Sequence, residues 1–513
     1  MSRTLFQEGT ATPAPSAHIS FRERTGSLRP AWMLLLLVAA TAATSPAQTF
    51  KTLYSFCSKS SGGYCTDGQN PETTLVQGPS GYLYGTTFYG GPGNYGTIFK
   101  ITTAGRLTTI YNFCSLASCA DGTQPDGGLV LASNASFYGV TNTGGAYGFG
   151  TVFKITPAGK LTTLHSFNQT DGAYPETGLI LATNGNLYGT TNSGGAYGTG
   201  AAFEITLSGA FTALYSLCDN GALCENGDGP NGLMQAADGN FYGTAYDGGG
   251  SFDVNECDPY SGGGSAFQLT PSGTFTLLVS EFCQPNGFYP NSALVQAANG
   301  NLYGTTAVGG DGSNTGSGTF YAMTTTGSLT SLYSFCLQTG CADGSDPQAL
   351  ILAPDGNFYG TTRSGGANSG IGTIFEITPA GQLTTLHTFA NTGTGGVNPV
   401  GALLLDTNGT FYGTTWSGGK NGGYGTVFSL ATGLGAFVDT VPTSGKVRTK
   451  VTILGTNLKG ATAVSFNGTA ATFKVVSASE ITTTVPTGAT SGTVTVTTLT
   501  GTTLDSSVAF QVP

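Results

Sequence analysis

Apolar and polar residues alternate along this chain in short runs of strand length, and the runs return in groups of four. In one group the runs cover residues 179–182, 187–191, 201–206 and 211–217. Asn184-Gly185-Asn186 and Ser208-Gly209 make tight hairpin turns between them, and 193–200 forms a glycine-rich loop. No run spaces its apolar residues at three and four, as a helix would, so the pattern predicts an all-β protein.

The group is written seven times. Its marker is an aromatic-Tyr-Gly-Thr-Thr-like second strand, with tyrosines at Tyr84, Tyr138, Tyr188, Tyr242, Tyr303, Tyr359 and Tyr412. A period of this size signals a solenoid, a propeller or an array. The ends favour a closed ring. The motif that finishes a repeat, as in Leu332-Tyr333-Ser334-Phe335, also stands at Leu53-Tyr54-Ser55-Phe56, ahead of any first strand, and the seventh unit, 401–431, lacks it. A strand over 49–56 that completes the last unit would hide both sheet edges, which predicts a seven-bladed β-propeller. Residues 434–438 offer another fourth strand, but that choice leaves 49–56 an orphan. The glycine after each marker tyrosine weakens a strand unless something must come close, and face-to-face packing of neighbouring blades would impose that need.

Ahead of the ring, Arg22, Arg24 and Arg29 precede an apolar run over 32–43 and the small residues Ser45-Pro46-Ala47. This reads as a cleaved secretory signal, the run being too short for a bilayer span. The chain has 17 Lys+Arg against 27 Asp+Glu; residues 1–48 hold four and two of these, leaving 13 against 25 and a formal charge of minus 12. Such a chain does not seek nucleic acid or anionic lipid. Ten cysteines in an exported chain predict disulfides. Four pairs are local: Cys57 with Cys65, Cys114 with Cys119, Cys218 with Cys224, and Cys336 with Cys341. Each staples a blade-crossing loop. Cys283 opens a fifth such loop without a downstream mate, which leaves Cys257, in a long insertion of the same repeat. The spacings do not suit a metal site.

From about Ala436 the composition shifts to Thr/Val alternation, as in Thr493-Val494-Thr495-Val496-Thr497, and predicts a small β-sandwich. Pro442-x-Ser444-Gly445, Val451-Thr452-Ile453-Leu454-Gly455-Thr456-Asn457-Leu458, Val464-Ser465-Phe466-Asn467-Gly468, Val485-Pro486 and Gly492-x-Val494-x-Val496 resemble an IPT/TIG domain. The resemblance implies an immunoglobulin-like fold used as a spacer or binding module in surface proteins. The repeats, through Leu187-Tyr188-Gly189-Thr190-Thr191, Gly194-Gly195, Gly198-x-Gly200 and Phe203-Glu204-Ile205-Thr206, resemble the GloVer tandem-repeat, or choice-of-anchor, family of exported bacterial proteins. That implies export and architecture, without an activity. The expected organisation is a signal peptide over 1–47, the propeller over 48–433 and the immunoglobulin-like domain over 434–513, in a protein of the extracellular space, cell surface or periplasm.

Catalytic signatures are weak. His165 and His387 take the place held by Tyr111 and Tyr333 in the repeated fourth strand, and His18 falls in the signal segment. No triad order, nucleophile elbow or phosphate loop stands out, and the Gly-x-Gly strings precede no helix. Asp247, Asp253, Glu256 and Asp258 cluster in the fourth repeat's insertion and could hold calcium or act as an acid and base pair; the plainer reading is a solvated acidic loop. Binding is better supported. The residue after each Tyr-Gly-Thr-Thr strand is the one on which the repeats disagree: Phe88, Asn142, Asn192, Tyr246, Ala307, Arg363 and Trp416. Variation on a repeated scaffold suits a ligand-facing ring, and closure would make Phe88 and Trp416 neighbours. The expectation is a monomeric, non-catalytic binding or adhesion protein without catalytic residues, cofactor or metal. Its partner would be a glycan, a cell-surface polymer or an extracellular protein, held near Phe88, Tyr246, Arg363 and Trp416. The alternative is a secreted carbohydrate-active enzyme working through carboxylates on the same face.

Overall fold

The computed structural model describes residues 48–513 apart from 220–223, 250–261, 311–316, 368–369 and 391–394. Among the described residues there is no α-helix, only three single 3-10 turns. The third repeat shows why strands form. Ile180–Leu181, Leu187–Thr191, Ala201–Ile205 and Phe211–Ser216 pair in that order as one antiparallel sheet. The middle strands alternate about a Gly189↔Phe203 pair, and both their faces are buried.

Six further sheets of the same order follow from the other repeats. In the fifth the first strand is split into Phe288–Pro290 and Val295–Gln296, both paired with Leu302–Val308. The seventh sheet takes its outer strand from the other end of the chain: Thr49–Ser55 pairs antiparallel with Thr426–Ala431, from Thr49↔Ala431 to Ser55↔Thr426. Seven apolar clusters join each sheet to the next. One of them sets Tyr412 and Val427 of the seventh sheet against Leu83 and Phe99 of the first. The repeat region is therefore a closed propeller with no exposed end sheet.

Two glycine positions carry the packing. A Cβ on Gly189 would lie 2.7 Å from Phe203 Cζ, and Gly85, Gly139 and Gly360 meet their own cross-strand phenylalanines at the same distance. The glycine after the marker tyrosine thus makes room for a ring of its own sheet, rather than for the neighbouring sheet as the sequence suggested. The neighbour's demand falls on the glycine before each third strand: a Cβ on Gly150 would lie 2.7 Å from Pro175 Cδ of the next sheet. The residue before that proline is left-handed in all seven repeats, with φ from +53° at Tyr174 to +63° at Gly229. Its N–H donates to a carbonyl in the preceding sheet's loop, as Tyr174 does to Phe149 at 3.0 Å and Asn70 to Tyr424 at 2.8 Å. Each joint between sheets is therefore fixed at the loop face by one hydrogen bond and one proline ring.

The C-terminal sandwich has two sheets. One contains Asp439–Val441, Lys450–Leu454, Glu480–Thr484 and Phe473–Ser477; the other contains Thr469–Ala470, Ala463–Phe466, Val494–Thr497 and Thr503–Asp505. Their inner faces meet in a core that includes Val451, Ile453, Phe466, Ile481, Val496 and Phe510. The sandwich is no free spacer. Leu454 packs into the cluster between the first and second sheets, Ser444 Oγ donates to the Thr183 carbonyl at 2.8 Å, and Phe437 N–H donates to the Thr407 carbonyl at 3.0 Å. The two hydrogen bonds are to turns between first and second strands, at the end of the sheets away from the stapled loops.

Candidate functional site

The marker Tyr-Gly-Thr-Thr strand builds the rim of the site. Its last threonine is buried and bonds forward: Thr87 Oγ1 donates to the Tyr89 carbonyl at 2.8 Å, and Thr415 Oγ1 to that of Ser417 at 3.0 Å. The same hydroxyls pair with Thr97 and Thr426, which begin the third strands. The residue held between, Phe88 or Trp416, is thereby fixed at the base of its loop. Closure brings these two together, with ring centroids 6.3 Å apart, and Tyr89 lies 6.5 Å from Trp416. Asn70 ties the seam, its Nδ2 donating to the Trp416 carbonyl at 2.9 Å.

Trp416 and Arg363 line a cavity of 890 Å³. The rest of its wall comes from the first strands and the residues that lead into them. The residue after the recurrent proline lines it in every repeat, as Glu72, Asp126, Glu176, Asn231, Asn291, Gln348 and Val400. Carboxyl groups thus occupy three successive repeats and amides the next three. Burial, then the charges of Asp126 and Glu176, push Glu72 up to about 8 against the opposing pull of Arg363. Burial pushes Asp126 up to about 7, with the Gly127 N–H holding it back and Glu176 raising it. Glu176 is raised by burial and relieved by Asn142 Nδ2, which donates to its Oε1 at 3.1 Å. Glu72 and Asp126, raised to about 8 and about 7, hold protons near neutral pH and so can donate as well as accept hydrogen bonds.

Arg363 is exposed and also borders a smaller cavity of 410 Å³ with Tyr246 and Ala307. Tyr246 is exposed and stacks on Tyr289 at 5.0 Å. Asp247 ends its strand opposite Asp228, whose carboxyl is raised by burial and then by the Asp247 charge. Asp253, Glu256 and Asp258 lie outside the described residues. Among the described residues no group of three or more His, Cys, Asp or Glu could hold a metal ion.

The histidines serve the blades. His165 stacks on Phe211 at 3.9 Å and meets Asp171 at 3.0 Å, while His387 stacks on Phe50 at 3.7 Å, where burial lowers it to about 4. Disulfides join Cys57 to Cys65, Cys114 to Cys119, Cys218 to Cys224 and Cys336 to Cys341. Buried aspartates fold the stapled loops: Asp121 accepts from the Tyr111 hydroxyl at 2.7 Å and from the Ser115 N–H at 2.9 Å. Cys283 is disulfide-bonded, and its expected mate Cys257 lies outside the described residues.

Glu72, Asp126 and Glu176 escaped the sequence reading. Their signal was available: the position after the recurrent proline also varies among repeats, and six of its seven residues are carboxylates or amides.

Fold and site together define a disulfide-stapled repeat propeller with an aromatic-rimmed cavity and a docked immunoglobulin-like domain. The chain belongs to the Gloeobacter/Verrucomicrobia repeat family, whose model matches residues 41–257 and 253–473, and the IPT/TIG domain model matches 437–512. No curated protein matches it. Among solved structures, an ulvan lyase of a polysaccharide lyase family, bound to -[GlcA(1-4)Rha3S]-, is 13% identical with a TM-score of 0.46, covering 71% of this chain and 97% of that one. A putative 6-phosphogluconolactonase from Bacteroides uniformis is 18% identical with a TM-score of 0.40, covering 62% and 84%. A putative gluconolactonase is 14% identical with a TM-score of 0.36, covering 61% and 89%. At such scores and identities these likenesses carry no argument about chemistry. Among the described residues no helix is long and apolar enough to cross a membrane.

Proposed function

We propose that this is a non-catalytic binding or adhesion protein of the extracellular space or cell surface that takes a glycan or surface polymer at the mouth of the 890 Å³ cavity. In this reading residues 1–47 are a cleaved signal, 48–433 form the binding ring and 434–513 the IPT/TIG domain. The observation that carries it is the Phe88–Trp416 pair, assembled from opposite ends of the repeat array beside a wall of carboxyl, amide and hydroxyl groups. Aromatic faces take the C–H face of a sugar, and the polar wall meets its hydroxyls. Replacing Phe88 and Trp416 together by Ala should weaken binding about tenfold or more in a screen of immobilised glycans, at about 1 kcal/mol per ring. The urea midpoint should stay nearly unchanged, because both residues sit at the rim. Glycan binding that survives the double change refutes the site.

One observation favours the enzyme reading as a second choice: Glu72 and Asp126, raised to about 8 and about 7, share the cavity with Glu176. An acid poised near neutrality is what general acid catalysis uses. Turnover of a polysaccharide that Glu72→Gln, Asp126→Asn or a change at Asp253 or Glu256 abolishes would establish it.

A further inference from the structure

Four consecutive sheets carry an exposed tyrosine in the loop between their second and third strands. Tyr424 in the seventh is 38% exposed, Tyr95 in the first 42%, Tyr147 in the second 62% and Tyr197 in the third 55%. Because the seventh and first sheets are neighbours across the closure, the four form one unbroken arc. Each loop starts at a residue of the variable position at its base, in order Trp416, Phe88, Asn142 and Asn192. The arc therefore has one end beside the cavity, at Trp416, which lines it.

Glycines set how the rings stand. A Cβ on Gly93 would lie 2.5 Å from two ring carbons of Tyr95, and one on Gly422 would lie 2.9 Å from the Tyr424 ring. Only glycine lets those rings lie against the loop, where they remain 42% and 38% exposed. Gly148 and Gly198, next to Tyr147 and Tyr197, have open space where a side chain would be, and these rings are 62% and 55% exposed. Each tyrosine is followed by glycine and preceded by glycine, asparagine or alanine, without the large apolar neighbours that build the continuous patch a protein partner would bury. With a formal charge of −10, the chain also does not suit an anionic membrane or nucleic acid. Separate aromatic platforms among hydroxyls and amides fit a run of sugar rings, each stacking one apolar face while its edge hydroxyls find partners.

We propose that a linear polysaccharide lies along this arc, with well-separated sugar rings of one chain on Tyr424, Tyr95, Tyr147 and Tyr197 and its hold at the seam provided by Trp416 and Phe88. The proposal rests on the reading that the cavity mouth takes a glycan, and it adds the ligand's form: a chain longer than the mouth itself, bound more tightly as it lengthens because linked contacts act together.

The test uses the full disulfide-bonded protein with cellulose, chitin, xylan and laminarin as polymers, and the disaccharide and longer oligosaccharides of whichever is bound. Affinity should rise with chain length. Tyr147→Ala with Tyr197→Ala should lose about fivefold per ring for the polymer and leave disaccharide binding unchanged. Tyr147→Phe with Tyr197→Phe should bind as the parent does, since the ring face remains. Phe88→Ala with Trp416→Ala should weaken polymer and disaccharide alike. Polymer binding that the tyrosine-to-alanine pair leaves intact overturns the arc while the mouth reading stands. Binding of an extended peptide in place of every polysaccharide overturns both.

Discussion

Phe56 is the residue on which ring closure can be measured. It follows the N-terminal strand, is fully buried, and packs in the cluster that joins the seventh sheet to the first, with Leu75, Leu83, Tyr412 and Val427. Its ring meets Phe99 edge-on at 5.3 Å and 65°, and its N–H donates to the Gly425 carbonyl at 3.0 Å. Phe167 is its counterpart inside the array: fully buried, edge-on to Phe203 at 5.3 Å and 65°, bonded to the Gly150 carbonyl at 3.0 Å. Deleting a buried phenylalanine side chain removes about 2–3 kcal/mol of transfer free energy and about 1 kcal/mol of ring pairing, and leaves a cavity, for a total of about 3–5 kcal/mol. Phe56→Ala and Phe167→Ala should therefore cost the same. Equilibrium urea unfolding of the oxidised protein, followed by circular dichroism, measures both, with the midpoint shifting and the slope unchanged. If Phe56→Ala costs less than about 1 kcal/mol while Phe167→Ala costs its full amount, the N-terminal strand is a peripheral arm and the closure argument fails.

Gly150→Ala should destabilise by about 2–5 kcal/mol, because its φ of +97° disfavours a side chain and its Cβ would lie 2.7 Å from Pro175 Cδ; Gly148→Ala, at φ +86° in open space, should cost only about 1 kcal/mol in the same unfolding assay. Glu72 and Asp126, raised to about 8 and about 7, keep protons that the unfolded chain releases, so their contribution is complete below the ordinary carboxylate range and fades as pH rises through 7 and 8. The thermal midpoint should fall across that window and fall less steeply in Glu72→Gln with Asp126→Asn; an unchanged slope would mean the carboxyls are solvated. Peptide mapping without reduction should recover a Cys257–Cys283 fragment, and free thiol at either position would remove the pairing proposed for the fourth repeat's insertion.

What the sequence determined by itself was local. Strand after strand could be read from two-residue alternation, turn glycines and the Tyr-Gly-Thr-Thr marker, because hairpins form between segments a few residues apart. Closure was legible as well, since Leu53-Tyr54-Ser55-Phe56 is a repeat ending without a repeat before it. The cavity was not. Glu72, Asp126 and Glu176 are each a repeat apart along the chain and become one wall only when three repeats turn the residue after the recurrent proline toward the same cavity. The seam is more distant still: Asn70 and Trp416 are 346 positions apart and share a hydrogen bond. The glycine of Tyr-Gly-Thr-Thr showed the same limit, for its need for space was plain in the sequence while the ring that fills it, Phe203 over Gly189, is set by register. The docked sandwich also came from tertiary contact alone, because Leu454 looks like any core leucine of its own domain until the cluster around Tyr84 and Phe137 takes it up. Local chemistry chooses strands and turns over short separations; which residues face one cavity is decided by how seven sheets close on themselves.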